Sequence, residues 1–125
     1  DRKTSCLIGR WSSKVSSQYT HYPRPQDSGN HEDVTEVTLT NKDGKGIRVT
    51  AIDRPFSFSA LYYTVDDIYK ATHDCDLKPR KEIILSLDAA VLGLGNSSCG
   101  PGVLKKYAID KQKPHTLRVR FSLIK

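Results

Sequence analysis

The sequence predicts a mainly β chain, an antiparallel β-sandwich with one short helix. Three observations predict it. Apolar residues recur at every second position in several stretches. Turn residues separate these stretches at intervals of about ten residues. A single segment shifts to helical spacing behind a capping threonine.

The strands follow from the alternation. Ile47, Val49 and Ala51 alternate with Arg48, Thr50 and Ile52. Phe56, Phe58, Ala60 and Tyr62 alternate with Ser57, Ser59 and Leu61, and Leu117, Val119, Phe121 and Leu123 alternate with Arg118, Arg120 and Ser122. In an extended chain successive side chains point to opposite faces, so each set assigns one face to a core and the other to solvent. Two more strands are expected over 34–40 and 82–87. Asn41-Lys42-Asp43-Gly44-Lys45-Gly46 supplies a hairpin loop between the first pair, and Arg54-Pro55 breaks the chain before the Phe-rich strand.

The helix is expected from Thr64 to about His73. Thr64 caps it and Asp66 and Asp67 occupy its first turn, where unsatisfied backbone N–H groups favour negative charge. Val65, Ile68, Tyr69 and Thr72 would form its apolar face. Two segments lack periodicity. Residues 12–31 are rich in Ser, Pro, His and Tyr. Residues 93–102 carry four glycines, a proline and two serines, which marks a shaped loop.

Composition narrows the function classes. The 125 residues suffice for one domain or a large piece of one, and with no Met the chain reads as an excised fragment or processed product. No apolar run approaches the roughly 20 residues of a membrane helix, so no membrane partner is expected. The net charge of +6 raises the question of nucleic acid. Its Lys and Arg are scattered from Arg2 to Lys125 with no interleaved aromatics, which points to a solvated basic face and no nucleic-acid partner. Cys6, Cys75 and Cys99 form no CxxC pair, so a structural zinc site is not expected.

Candidate chemistry is sparse. The Gly-rich loop lacks the Gly-Lys-Ser/Thr ending of a phosphate loop. Nothing pairs His21, His31, His73 or His115 with Cys99 to make a nucleophile, and His73-Asp74-Cys75-Asp76 is a poor chelate. Glu32, Glu36 and Glu82 are the only glutamates, with Asp88 the acid nearest the Gly-rich loop; no facing pair of the kind glycoside hydrolysis needs is apparent. Aromatic residues stack on sugar rings, and among Trp11, Tyr19, Tyr22, Tyr62 and Tyr63 the two in the irregular segment, Tyr19 and Tyr22, are least easily assigned to a core.

Six blocks, in order and over nearly the whole chain, carry a family resemblance. Tyr19-Thr20-His21-Tyr22-Pro23-Arg24-Pro25-Gln26-Asp27-Ser28-Gly29-Asn30 resembles the "Y-P-x-P-Q-E-N-G-N" signature of the large β-galactosidases of glycoside hydrolase family two. Asp1-Arg2 with Ile8-Gly9 resembles the segment after that family's "E-N-Y-P" turn, and Phe56-Ser57-Phe58-Ser59-Ala60 resembles "F-x-F-S-A". Tyr63-Thr64, Ala71-Thr72-His73 and Leu77 resemble "Y-T…L-x-x-A-x-H-x-x-x-L". Leu87-Asp88, Gly93-Leu94-Gly95, Ser98-Cys99-Gly100-Pro101 and Tyr107 resemble "L-x-D-x-x-x-x-G-x-G-x-x-S-C-G-P…Y".

The resemblance implies that residues 1–125 form the C-terminal portion of the terminal β-sandwich, a galactose-mutarotase-like or supersandwich domain, of a retaining enzyme that hydrolyses terminal β-D-galactosides. It implies no catalytic residue in this chain. The carboxylates would lie in a (β/α)8 barrel, which is the implied partner together with the β-galactoside substrate. Cofactors would be absent here; the family commonly uses Mg and a monovalent cation in other domains. The loop equivalent to Gly93–Pro101 would help shape the active-site entrance through Asn96, Ser97, Ser98 and Cys99, with Tyr19, Tyr22 and His73 as candidate sugar contacts. Some members carry a sugar-stacking tryptophan on this loop where Cys99 stands, and others share "S-C-G-P". Asp27-Ser28 replaces the family's Glu-Asn, and His31 and Thr35 replace two frequent arginines. The resemblance leaves the compartment open between bacterial-type cytoplasm and periplasm. The alternative is a free-standing carbohydrate-binding β-sandwich module.

Overall fold

The computed structural model describes residues 8–93 and 99–125. Six strands, β1 (His31–Val34), β2 (Glu36–Thr40), β3 (Gly46–Ala51), β4 (Phe56–Leu61), β5 (Ile84–Asp88) and β6 (Val119–Ile124), accompany one helix, α1 (Val65–Lys70). They form two three-stranded sheets, ordered β1-β4-β5 and β2-β3-β6. The pairs β1–β4, β2–β3 and β3–β6 are antiparallel. The chain is therefore mainly β, with the sandwich architecture and single short helix that the alternation and capping signals predict.

The described residues fall into two compact units: one runs to Gly29 and adds Ala60–Ile84, and the other comprises Asn30–Ser59 and the chain from Leu85 onward. The second unit holds the sandwich core. Val37, Val49 and Phe56 are buried, and Val34, Ala51, Phe58, Leu85, Leu87, Leu117 and Val119 pack around them. These residues come from both sheets, so the apolar faces meet as alternation requires. The first unit is centred on Tyr19, Leu61 and Ile68, with Tyr63 and Leu77 packed against them.

The hairpin between β2 and β3 forms as expected. The Asn41 side-chain oxygen accepts the N–H groups of Asp43 (2.9 Å) and Lys45 (3.0 Å), and Gly44 adopts φ +78°, a left-handed value that favours glycine. Gly46 then opens β3 beside β2. A Cβ built there would run into the backbone carbonyl of Leu39, so only glycine lets the strands close at this point.

The helix start matches its signals in detail. The Asp67 N–H donates to the Thr64 hydroxyl at 3.1 Å, while the Thr64 N–H donates to the Asp67 carboxylate at 2.8 Å, a reciprocal cap. Asp67 also accepts two bonds from Arg80, at 2.6 and 2.8 Å. The Arg80 guanidinium and the Thr64 donors together hold the Asp67 carboxyl well below the usual carboxylate range.

Four expectations change. The expected strand over 34–40 breaks at Thr35, and its halves join different sheets. Asp33 supplies the kink with φ +55°, the β1–β4 register shifts there, and the Thr35 carbonyl accepts the Ala51 N–H at 2.8 Å. The fifth strand starts at Ile84 and not at residue 82. The helix ends at Lys70, and of its expected apolar face only Ile68 is buried; Val65 and Tyr69 are exposed. A helix this short has room for one inward residue. Finally, Phe121 and Leu123 share the core-facing side of β6 yet are 60% and 80% exposed, because the cluster reaches only as far as Val119.

Two outcomes follow. Truncating Phe56→Ala should lower the stability of the protein by about 3–5 kcal/mol in denaturant melts, the usual cost of emptying a packed aromatic site; Gly46→Ala should cost about 1–3 kcal/mol by forcing β2 and β3 apart. The Asp67 interaction has its own pH signature. A carboxyl with a depressed folded value stabilises fully above the ordinary carboxylate value, and that stability is lost as pH falls below about 4. Melting temperature measured from pH 5 down to pH 2 should fall less steeply in Asp67→Asn than in the unmodified protein.

Candidate functional site

The signature segment of the first unit is built around one buried ring. Tyr19 is 8% exposed, and its ring meets His21 and Tyr63 edge-on at 5.2 and 5.1 Å. Its hydroxyl is buried without a well-formed hydrogen bond, and burial pushes its pKa up, tempered by the Gln26 backbone. Around this ring the segment closes on itself. The Thr20 N–H donates to the Ser28 hydroxyl at 3.1 Å. Gly29 sits at φ +77°, where a Cβ would come within 2.6 Å of the Gln18 carbonyl. Ser28, a departure from the family pattern, therefore has a local bonding role, and Gly29 has a steric one.

The same segment docks on the turn after α1. His21 Nδ1 lies 2.8 and 3.0 Å from the two carboxylate oxygens of Asp74, and the Asp74 N–H donates to the Pro23 carbonyl at 3.3 Å. Asp76 organises the turn itself, accepting from the His73 N–H at 2.8 Å and the Thr72 hydroxyl at 2.9 Å; these bonds hold its carboxyl below the ordinary value. Tyr22 and His73 are the sequence neighbours of His21 and Asp74, so this joint brings together the two segments that carry them. Both side chains are exposed. Of the candidate sugar contacts, then, Tyr22 and His73 face solvent, while Tyr19 belongs to the packed interior of its unit.

On the Gly-rich loop, Asn96, Ser97 and Ser98 lie outside the described residues. Cys99 is exposed with a free thiol. Downstream of it the chain makes a turn over Lys105–Tyr107, where the Lys106 ammonium stands 4.5 Å from the centre of the Tyr107 ring. His31 stacks on Phe58 at 4.8 Å with 22° between the planes. The acids are dispersed: Glu36 pairs with Arg48 at 3.6 Å on the solvent side of β2–β3, and Glu32 and Glu82 are exposed. Among the described residues no group of three or more His, Cys, Asp and Glu is placed to hold a metal ion.

One feature escaped the sequence reading. Asp53, Arg54, Pro114, Thr116 and Arg118 line an open cleft of about 470 Å³ in the second unit. The Arg54 guanidinium donates to the Thr116 carbonyl at 2.6 Å, and Arg118 pairs with Asp53. These residues are more than sixty positions apart, so no local spacing signal announces them; the Asp-Arg-Pro turn was legible only as a strand break.

The chain is similar in sequence to proteins of one family. A family model described as the β-galactosidase small chain matches residues 1–123. The β-galactosidase BgaC of Bifidobacterium adolescentis is 33% identical over 119 residues, covering 93% of this chain and 11% of its own length. The β-galactosidase of Kluyveromyces lactis is 33% identical over 113 residues, 90% of this chain and 11% of its own. A β-galactosidase small subunit of Latilactobacillus sakei is 33% identical over 102 residues, 73% of this chain and 32% of its own. The chain thus spans about a tenth of the full-length relatives. By sequence match over almost its full extent, the chain belongs to the β-galactosidase small-chain family.

Proposed function

We propose that this chain is an accessory β-sandwich part of a β-galactosidase that hydrolyses terminal β-D-galactosides, and that it helps to shape the entrance of the active site. One observation carries the reading: nearly all of the chain matches about a tenth of the length of known β-galactosidases. On this reading the rest of the enzyme supplies the acid and the nucleophile of a retaining reaction, and any metal ion is held there as well.

The chain's own contribution is surface and position. Tyr22 and His73 stand beside the joint made by His21 and Asp74, which brings the two segments together for sugar contact. The Gly-rich segment is the second element on this reading, and of its candidate residues Cys99 is exposed. A thiol offers a small, weakly polar surface where an aromatic ring would offer a stacking face, so the entrance would be wider and less selective for a stacked ring. Holding such residues on folded segments limits the entropy lost when the sugar docks.

Three measurements test the proposal. The purified 125-residue chain should show no turnover of a nitrophenyl galactoside; measurable hydrolysis would refute the accessory role. Saturable galactoside binding by the isolated chain in calorimetry would instead favour a free-standing module. In the parent enzyme, Cys99→Trp should change the galactoside KM by roughly 2- to 10-fold, the range that about 0.5–1.5 kcal/mol of aromatic stacking allows. Unchanged KM and kcat would place the loop away from substrate.

A further inference from the structure

The register of the β2-β3-β6 sheet puts an unbroken apolar surface on one face. Val37 pairs with Val49 and Leu39 with Ile47 between β2 and β3, and Ala51 pairs with Val119, Val49 with Phe121 and Ile47 with Leu123 between β3 and β6. Every one of these residues is apolar. The charged residues Glu36, Arg48 and Arg120 alternate onto the opposite face. One end of the apolar face is covered: Val49 is 1% exposed and Val37 9%. In the next row Leu39 and Ile47 are half-buried and Leu123 is 80% exposed, and on β6 Phe121, paired with the covered Val49, is 60% exposed. The opening lies toward β6, one of the two edge strands of the sheet.

Sheet faces of this composition are buried in folded proteins, and a large apolar side chain left in water forgoes roughly 1.5–3 kcal/mol of burial. The face carries no charge, which fits a dry, apolar occupant and not an anionic or sugar ligand. An open edge strand beside it offers backbone groups that a neighbouring strand would pair. The relatives supply such an occupant. The matched region is only 32% of the Latilactobacillus sakei small subunit and 11% of the Bifidobacterium adolescentis enzyme, so most of the small chain itself lies outside these residues.

We infer that the Leu39–Ile47–Phe121–Leu123 face is an internal interface of the parent enzyme, covered by a strand-bearing apolar segment of the same β-galactosidase from outside these 125 residues. The inference rests on the accessory-part reading, since it needs a parent to supply the segment. Its occupant is intramolecular or within the enzyme's own subunits, and not a second copy of this surface.

The test uses the intact parent enzyme. Phe121→Cys and Leu123→Cys are exposed to a maleimide, and labelling at each position is read by peptide mass spectrometry against the urea-unfolded enzyme. Labelling should be slowed about 100-fold or more in the folded enzyme, because a packed site reacts only through rare openings. Rates within about tenfold of the unfolded reference would overturn the inference. Should either variant fail to fold, hydroxyl-radical footprinting of the unmodified Phe121 and Leu123 gives the same readout: protection is expected, and oxidation at the unfolded rate overturns the inference. Protection that disappears on dilution, in step with dissociation of identical copies, also overturns it. Protected residues in a parent that cleaves no galactoside would leave this interface standing and remove the β-galactosidase reading; exposed residues in an active parent would do the reverse.

Discussion

The strand β4 is the constraint on which both hydrophobic clusters depend. Its six residues, Phe56-Ser57-Phe58-Ser59-Ala60-Leu61, place Phe56 in the sandwich cluster and Leu61 in the cluster with Tyr19 and Ile68. It is the central strand of its sheet, and Phe56, Ser57, Ala60 and Leu61 are all buried. A strand covered in this way has to supply large apolar groups where each cluster needs volume and small groups where a neighbour approaches closely. Two aromatic rings, two serines and an alanine do that within 6 residues. Replacing the small positions with large ones would overfill the packing as surely as truncating Phe56 would empty it.

Local signals were legible to the extent that they act locally. The Thr64–Asp67 cap, the Asn41 turn and the alternation of β3 each depend on residues a few positions apart, and each appears in the structure where the sequence places it. β4 is a strand as expected, but Ser57 and Leu61, assigned by alternation to the solvent face, are buried because the strand is central in its sheet. The break at Thr35 was not legible, because it rests on a positive φ at Asp33, a residue whose short polar side chain tolerates that conformation without requiring it. The alternation of β6 identified which residues share a face. It could not say how far along that face a cover extends, and Phe121 and Leu123 show the difference. The Arg118–Asp53 and His21–Asp74 pairs join residues far apart in sequence, so only the fold brings them together.

The candidate site was legible through the family pattern more than through chemistry, and two of its departures from that pattern have local physical roles. Ser28 accepts a backbone N–H that ties the ends of the signature segment, a short-range bond. His31 exchanges the reach of an arginine for a flat ring stacked on Phe58. At Thr35 the bond to the Ala51 N–H is made by the backbone carbonyl, which any residue would supply, so the structure does not explain the threonine side chain.

At Tyr19 the local role is energetic. Burying a hydroxyl without a full hydrogen bond costs about 1–3 kcal/mol. The ring offsets this by closing edge-on against His21 and Tyr63 and by filling the space beside Leu61 and Ile68. Fixing that ring fixes the segment, and the His21–Asp74 pair then sets the direction in which its exposed neighbours leave the surface. The pair itself is largely solvated and adds little stability. Its value on the proposed reading is geometric: two exposed groups on different segments, Tyr22 and His73, are held by a core residue that neither of them touches in sequence. A sugar contact built this way depends on packing beneath it, so a change at Tyr19 would disturb the entrance without ever meeting the substrate.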